Sequence, residues 1–240
     1  MFRCAHVAVV LIVTGLLLRS AAADDKAAAP DQAAADEKPA QTVKGFGAVV
    51  DPDGDCQVSE QFRVTITVPK TPHDLTYATE SAYTKMNAPR IVQDIKGDFS
   101  LAVKVEAFPF PKPDTSSNNR YSFVSSGLLI WQDERNFIRL ERAALGGQNE
   151  PFVWVECFVD GKSETSKQHP IDNKDTYLRV TRNGDKFTFD TSDDGQNWTE
   201  IKNEEVKLAE QVKGGVMAIN TTTDDFSVTL EVPKPSPTPK

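Results

Sequence analysis

An antiparallel all-β sandwich is the fold this sequence predicts, and three observations carry the prediction. Apolar and polar residues alternate strictly in several runs, turn-forming pairs fall between those runs, and no comparably long stretch has helical spacing. A period of two puts successive side chains on opposite faces of a pleated strand, one inward and one toward solvent. Many short strands with regular turns are the pattern of a two-sheet sandwich.

The strands follow in chain order. Phe62, Val64, Ile66 and Val68 alternate with Arg63, Thr65 and Thr67. Phe99, Leu101, Val103 and Val105 alternate with Ser100, Ala102, Lys104 and Glu106. The stretch from Gly127 to Leu145 and the stretch from Pro151 to Phe158 read as an antiparallel group, with reversals at Gly146-Gly147 and Asp160-Gly161. Leu178 and Val180, then Asn183-Gly184, then Phe187 and Phe189 form the strongest short hairpin signal in the chain. Asp194-Gly195 makes another tight turn before Trp198. Phe226, Val228, Leu230 and Val232 alternate with Ser227, Thr229 and Glu231 in the last strand.

The two ends have a different composition. Arg3, an apolar run from Val7 to Leu18 and the small triplet Ala21-Ala22-Ala23 predict a secretory signal peptide over 1–23, hence an exported protein. The run is shorter than the ~20 residues a spanning helix needs, so no membrane insertion is expected after cleavage. Residues 24–43 are rich in Ala and acidic residues and predict a disordered linker. The folded domain is expected over 44–232, followed by a Pro-rich tail over 233–240. Loss of the signal removes Arg3 and Arg19 and takes the net charge from −8 to −10. An acidic surface without a basic cluster repels phosphate backbones, so nucleic acid and anionic membrane surfaces are not expected partners.

The middle of the chain holds the candidate site. If Ile138 and Leu140 point inward, Phe137, Arg139 and Glu141 share the other face. By the same rule Val153, Val155 and Cys157 point inward and leave Phe152, Trp154 and Glu156 opposite, with Trp131 near by. An aromatic ring beside charged hydrogen-bonding groups suits a sugar, which stacks its apolar face and has its hydroxyls fixed by the polar groups. The candidate ligand-binding residues are therefore Trp131, Arg139, Glu141, Trp154 and Glu156, with Arg90 as an outlying one. In the competing arrangement a loop covers this face and Arg139 and Glu141 form partly buried ion pairs.

Other chemistries have thinner signals. Glu141 and Glu156 are a pair of carboxylates of the kind a glycoside hydrolase or lyase needs, as any two acids on adjacent strands would be. Asp51, Asp53 and Asp55 alternate in a Gly-containing loop and could converge on Ca²⁺, although a turn uses the same residues for backbone reasons. Otherwise no cofactor is expected: the sequence has no zinc-type ligand spacing, Walker loop, dinucleotide fingerprint or nucleophile elbow. Ser192 to Trp198 is one residue short of an Asp-box and reads as a turn with Trp198 as a packing anchor. Cys56 and Cys157 survive signal cleavage and could pair in an oxidising compartment, closing a loop that would add about 4–5 kcal/mol.

Several blocks in order carry a family resemblance: Gly45 to Cys56, Thr71-Pro-His-Asp74, Met86-Asn-Ala-Pro-Arg90, Gly97-Asp-Phe99, Gly127 to Trp131, Ile138 to Arg142, and Ser192 to Trp198. Together they resemble a bacterial domain family of unknown function with a concanavalin A-like jelly-roll fold, some members of which carry the label "regulation of enolase protein". The resemblance covers roughly Gly45 to Val232. It implies two curved antiparallel sheets with ligands on the concave face, and kinship with carbohydrate-binding modules and xylosidase accessory domains. It supplies no catalytic residues. Laminarinase-type members carry a Glu-x-Asp-x-x-Glu strand, whereas this chain reads Arg139-Leu-Glu-Arg-Ala-Ala144. The expected function is a non-catalytic binding module for a glycan or extracellular polymer. A glycoside hydrolase or lyase using Glu141 and Glu156, or a structural envelope interaction domain, is the alternative.

Overall fold

The computed structural model describes residues 41–61, 63–77, 83–117 and 120–231. The segment expected to be a signal peptide, most of the expected linker, Phe62, Val232 and the Pro-rich tail lie outside the described residues. Among the described residues there is no helix, and so none long and apolar enough to cross a membrane.

The first strands are β1 (Thr42–Val43), β2 (Gly47–Val50), β3 (Gln57–Glu60), β4 (Val64–Val68), β5 (Leu75–Thr76) and β6 (Lys85–Met86). The middle of the chain forms β7 (Arg90–Lys96), β8 (Phe99–Val105), β9 (Phe123–Asp133), β10 (Asn136–Leu145), β11 (Phe152–Val159) and β12 (Lys162–Pro170). The last are β13 (Thr176–Asn183), β14 (Lys186–Ser192), β15 (Thr199–Glu205), β16 (Gln211–Asn220) and β17 (Phe226–Glu231). They build an eight-stranded sheet in the order β1-β2-β7-β16-β9-β10-β11-β12 and a seven-stranded sheet in the order β15-β14-β13-β8-β17-β4-β3. A short β5-β6 pair stands apart from both. The fold is thus the predicted antiparallel jelly-roll sandwich. Thr42 and Val43, in the stretch read as linker, pair with Ala48 and Gly47, and Val43 enters the core.

The inward residues of each alternating run meet between the sheets. Val64, Ile66 and Val68 of β4, Val103 and Val105 of β8, and Val228 and Leu230 of β17 pack against Leu128, Ile130, Ile138, Leu140, Val153 and Val155. Each such side chain contributes roughly 1.5–3 kcal/mol relative to exposure, so the pattern itself selects which face turns in. The Asn183-Gly184 signal is a hairpin as predicted: Asn183 pairs with Lys186, and Gly184 takes a φ of 62° that a side chain rarely adopts.

The two cysteines are free, so the bridge considered from the sequence is not formed. Cys157 points into the core from β11, near one side of its sheet, whereas Cys56 precedes β3 on the opposite side of the sandwich. Several strand spacings of about 4.8 Å separate those sides, far beyond the ~7 Å limit between bridged Cα atoms.

Candidate functional site

The outer face of the eight-stranded sheet gathers the candidate residues. Ile138, Leu140, Val153, Val155 and Cys157 face the main core, so the intervening residues of β10 and β11 turn outward. Register then sets their neighbours: Arg139 lies opposite Glu156, Glu141 opposite Trp154, and Phe137 opposite both Phe158 and Trp131. Arg90 reaches the same row through Met217, which pairs with Gly127, itself opposite Glu141. Gly127 allows the close approach of β9 and β10 there, since a Cβ would sit 2.1 Å from the Leu140 carbonyl oxygen.

The centre of this face is not open. The segment after β4 lays buried Asp74 and Leu75 across it, and Leu75 packs with Leu129, Phe137, Met217 and Ile219 in a second apolar cluster. Asp74 is held by its own contacts: its N–H donates to Asn87 Oδ1 at 3.1 Å, and its carboxylate accepts from the Leu75 N–H at 2.8 Å. Beneath it Arg139 is buried among three carboxylates. It donates to Glu156, and its Nη1 lies 3.7 Å from Asp74 Oδ1 and 3.8 Å from Glu141 Oε1. Arg120 Nε caps Asp74 Oδ2 at 2.9 Å. The sequence did not single out Asp74 or Arg120 for this site. The only available signal was that Thr71-Pro-His-Asp74 is one of the blocks carrying the resemblance.

Burial and pairing push the two glutamates apart. Loss of solvent raises Glu141 to about 7; Arg139 and the Ser125 hydroxyl, which donates to Oε2 at 2.8 Å, pull it only part of the way back. Its Oε1 is buried with no hydrogen-bond donor. Glu156 is also raised by burial, but Arg139 beside it and hydrogen bonds from Arg139, Ser163 and Trp154 outweigh that and hold it below the usual carboxylate range. Arg139 itself loses solvent, yet Glu141, Glu156 and Asp74 more than offset this and keep it charged.

A pH dependence follows from Glu141. Its folded value lies above the unfolded one, so the native state holds the extra proton between about pH 4.5 and 7. Stability from this group is fully present below pH 4.5 and is lost as pH rises through about 7, by up to roughly 3 kcal/mol. Urea unfolding at pH 5 and pH 8 should show that Glu141→Gln removes this part of the slope. An unchanged slope would mean that Glu141 is ionised throughout.

The remaining candidates divide by exposure. Trp131 is partly buried, stacked on Phe137 at 5.4 Å and with the Arg90 guanidinium 4.6 Å from its ring centroid. Burial lowers the Arg90 pKa, with the Glu134 charge opposing. Trp154 is half-buried, its indole N–H donating to Glu156 Oε2 at 3.3 Å and its ring edge-on to Phe152 at 6.2 Å. Ser163 donates to Glu156 Oε1 at 2.9 Å. Exposed Ser166 and Gln168 of β12 lie directly across from Glu156 and Trp154.

The acidic loop behaves differently from a three-carboxylate cage. Asp51 closes its own turn by accepting the Cys56 N–H at 2.9 Å, whereas Asp53 and Asp55 face the buried ring of His73. At the other end of the sandwich, Ser192 to Trp198 is a hydrogen-bonded turn. Backbone N–H groups of Asn197 and Gln196 hold the Asp194 carboxyl far below its usual range, and the Arg179 guanidinium covers Trp198 at 4.2 Å.

The profile of a family described as "Protein of unknown function (DUF1349)" matches residues 52–235. No curated protein matches the chain in sequence. Among solved structures, a functionally unknown protein from Saccharomyces cerevisiae superposes with a TM-score of 0.61 at 16% identity, over 79% of this chain and 98% of that one. The carbohydrate-binding module CBM66 from Bacillus subtilis gives 0.48 at 10% identity, over 80% and 97% of the two chains. The GH43 BlXynB protein from Bacillus licheniformis gives 0.48 at 13% identity over 69% of this chain, which spans only 31% of that protein.

Proposed function

Because the chain belongs to the DUF1349 family of proteins of unknown function, its role has to be read from its own site, and we propose that it is an exported, non-catalytic binding module for a carbohydrate or other extracellular polymer. The observation that carries this proposal is the setting of Trp154. Its half-exposed ring is fixed by Glu156, which Arg139 and Ser163 fix in turn, and exposed Ser163, Ser166 and Gln168 flank it on β12. A rigid aromatic edge beside pre-oriented hydrogen-bonding groups is what a sugar ring needs for stacking and hydroxyl recognition. Trp131, held against Phe137 and Arg90, lies on the same face as a further candidate contact.

The carboxylate pair suits this use better than hydrolysis. A general acid must touch the glycosidic oxygen, and Glu141 is sealed beneath Asp74 and Arg139.

Retention of the purified chain on a panel of immobilised polysaccharides tests the proposal. Trp154→Ala should cost about 2 kcal/mol or more, roughly thirtyfold in affinity, while the circular dichroism spectrum stays the same. Equal retention by wild type and variant would remove this site. Release of reducing ends by wild type but not by Glu156→Gln would replace binding with catalysis.

A further inference from the structure

Loop 51–56 crosses from β2 in one sheet to β3 in the other, turning at Gly54 with a φ of 71°. It meets the chain leaving β4 at His73, which is pinned by two backbone hydrogen bonds to Asn220 at 2.8 and 3.0 Å and is fully buried. Both ring nitrogens of His73 face acceptors. Nδ1 lies 2.9 Å from the Thr71 carbonyl oxygen, while Nε2 lies 2.9 Å from Asp55 Oδ1 and 3.7 Å from Asp53 Oδ2. With its one proton on Nδ1, donated to that carbonyl at the shorter distance, the neutral ring turns a bare Nε2 lone pair toward the two carboxylates; the Thr71 hydroxyl, 3.4 Å from Nδ1, serves the other tautomer. In that tautomer Nε2 is a metal-ligand nitrogen facing two carboxylate oxygens.

Cys56 makes the metal ion the better fit. Its Sγ lies 3.7 Å from Asp55 Oδ1, and the ligand atoms of Asp55, Cys56 and His73 all fall within 4.8 Å of one another. Metal–donor bonds of about 2.0–2.3 Å in a tetrahedron put neighbouring donors roughly 3.3–3.7 Å apart, close to the spacings present here. The Nδ1–carbonyl contact is also the usual outer support that fixes the tautomer of a metal-bound histidine. We propose that His73 Nε2, Asp53, Asp55 and Cys56 Sγ form a site for a borderline divalent transition metal of the Zn²⁺ class. Nitrogen and sulfur donors separate it from the all-oxygen Ca²⁺ cage that the three aspartates suggest in sequence. Metal binding would release the Cys56 thiol proton to solvent. It would also clamp loop 51–56 onto His73, next to Asp74, and so pin the segment that covers the outer face.

The full chain, stripped with a chelator, is titrated separately with Zn²⁺, Co²⁺ and Ca²⁺. One Zn²⁺ per chain is expected, and at about a hundred times its Kd it should raise Tm by roughly 5–10 °C. The Co²⁺ form should show a thiolate-to-cobalt charge-transfer band that Cys56→Ser loses. Asp53→Asn, at an exposed carboxylate, should weaken Zn²⁺ binding by about tenfold or more without unfolding the apo chain. No stoichiometric Zn²⁺ binding would overturn the proposal. Stabilisation by Ca²⁺ alone, or Zn²⁺ binding unchanged in both variants, would overturn it equally.

Discussion

Arg139→Met is expected to destabilise the domain by about 3–5 kcal/mol at pH 7, a large share of the 5–15 kcal/mol typical of a single domain. The reason lies in what stays behind. Asp74 and Glu141 are fully buried, Glu156 is nearly so, and Arg139 is the one cation that all three share. Methionine fills much of the volume but leaves Glu141 and Glu156 without their cation, and Asp74 with Arg120 alone, in a poorly solvated layer. Two consequences make the test specific. The loss should shrink below pH 5, where the carboxylates take up protons, and adding Glu141→Gln and Glu156→Gln to Arg139→Met should recover more than half of it. Chemical denaturation measures both. A loss below about 1 kcal/mol would show that water reaches the cluster and that the face is open.

Leu75→Ala should cost about 2–4 kcal/mol, because the side chain is fully buried and the surrounding sheet cannot collapse onto the space it leaves. The loss should fall on the covering segment first. Amide exchange should speed up at His73, which donates to the Asn220 carbonyl, and at Ala88, which donates to the Asp74 carbonyl, while β9 and β16 stay protected. Uniform faster exchange through both sheets would mean that the cover and the sandwich unfold as one unit. If glycan retention by Trp154 survives Leu75→Ala, the binding edge on β11 and β12 is independent of the cover.

Much of the site was legible in the order of residues. Alternation alone separated Arg139, Glu141, Trp154 and Glu156 from Ile138, Leu140, Val153 and Val155, and the register put the two sets on opposite faces. That is a local property: pleating turns every second side chain over, whatever the rest of the chain does. The Asn183-Gly184 hairpin was legible for a similar reason, since its conformation is decided within a few residues.

What could not be read was which distant segment lies on that face. Asp74 is 65 residues from Arg139 in sequence, in a stretch without periodicity, and its pairing depends on the chain leaving β4 and folding back over the neighbouring sheet. The same holds for Cys56 and Cys157, whose separation depends on where their strands fall in two different sheets. It holds also for His73, which meets Asp55 only because a loop and a strand end converge at one edge. The sequence by itself therefore determined the strongly alternating strands, their faces and which of their side chains turn to the outer surface. Only the tertiary structure decided that Arg139 and Glu141 are sealed while Trp154 stays half-open, because covering a face requires long-range chain closure, and closure leaves no periodic mark on the residues it brings together.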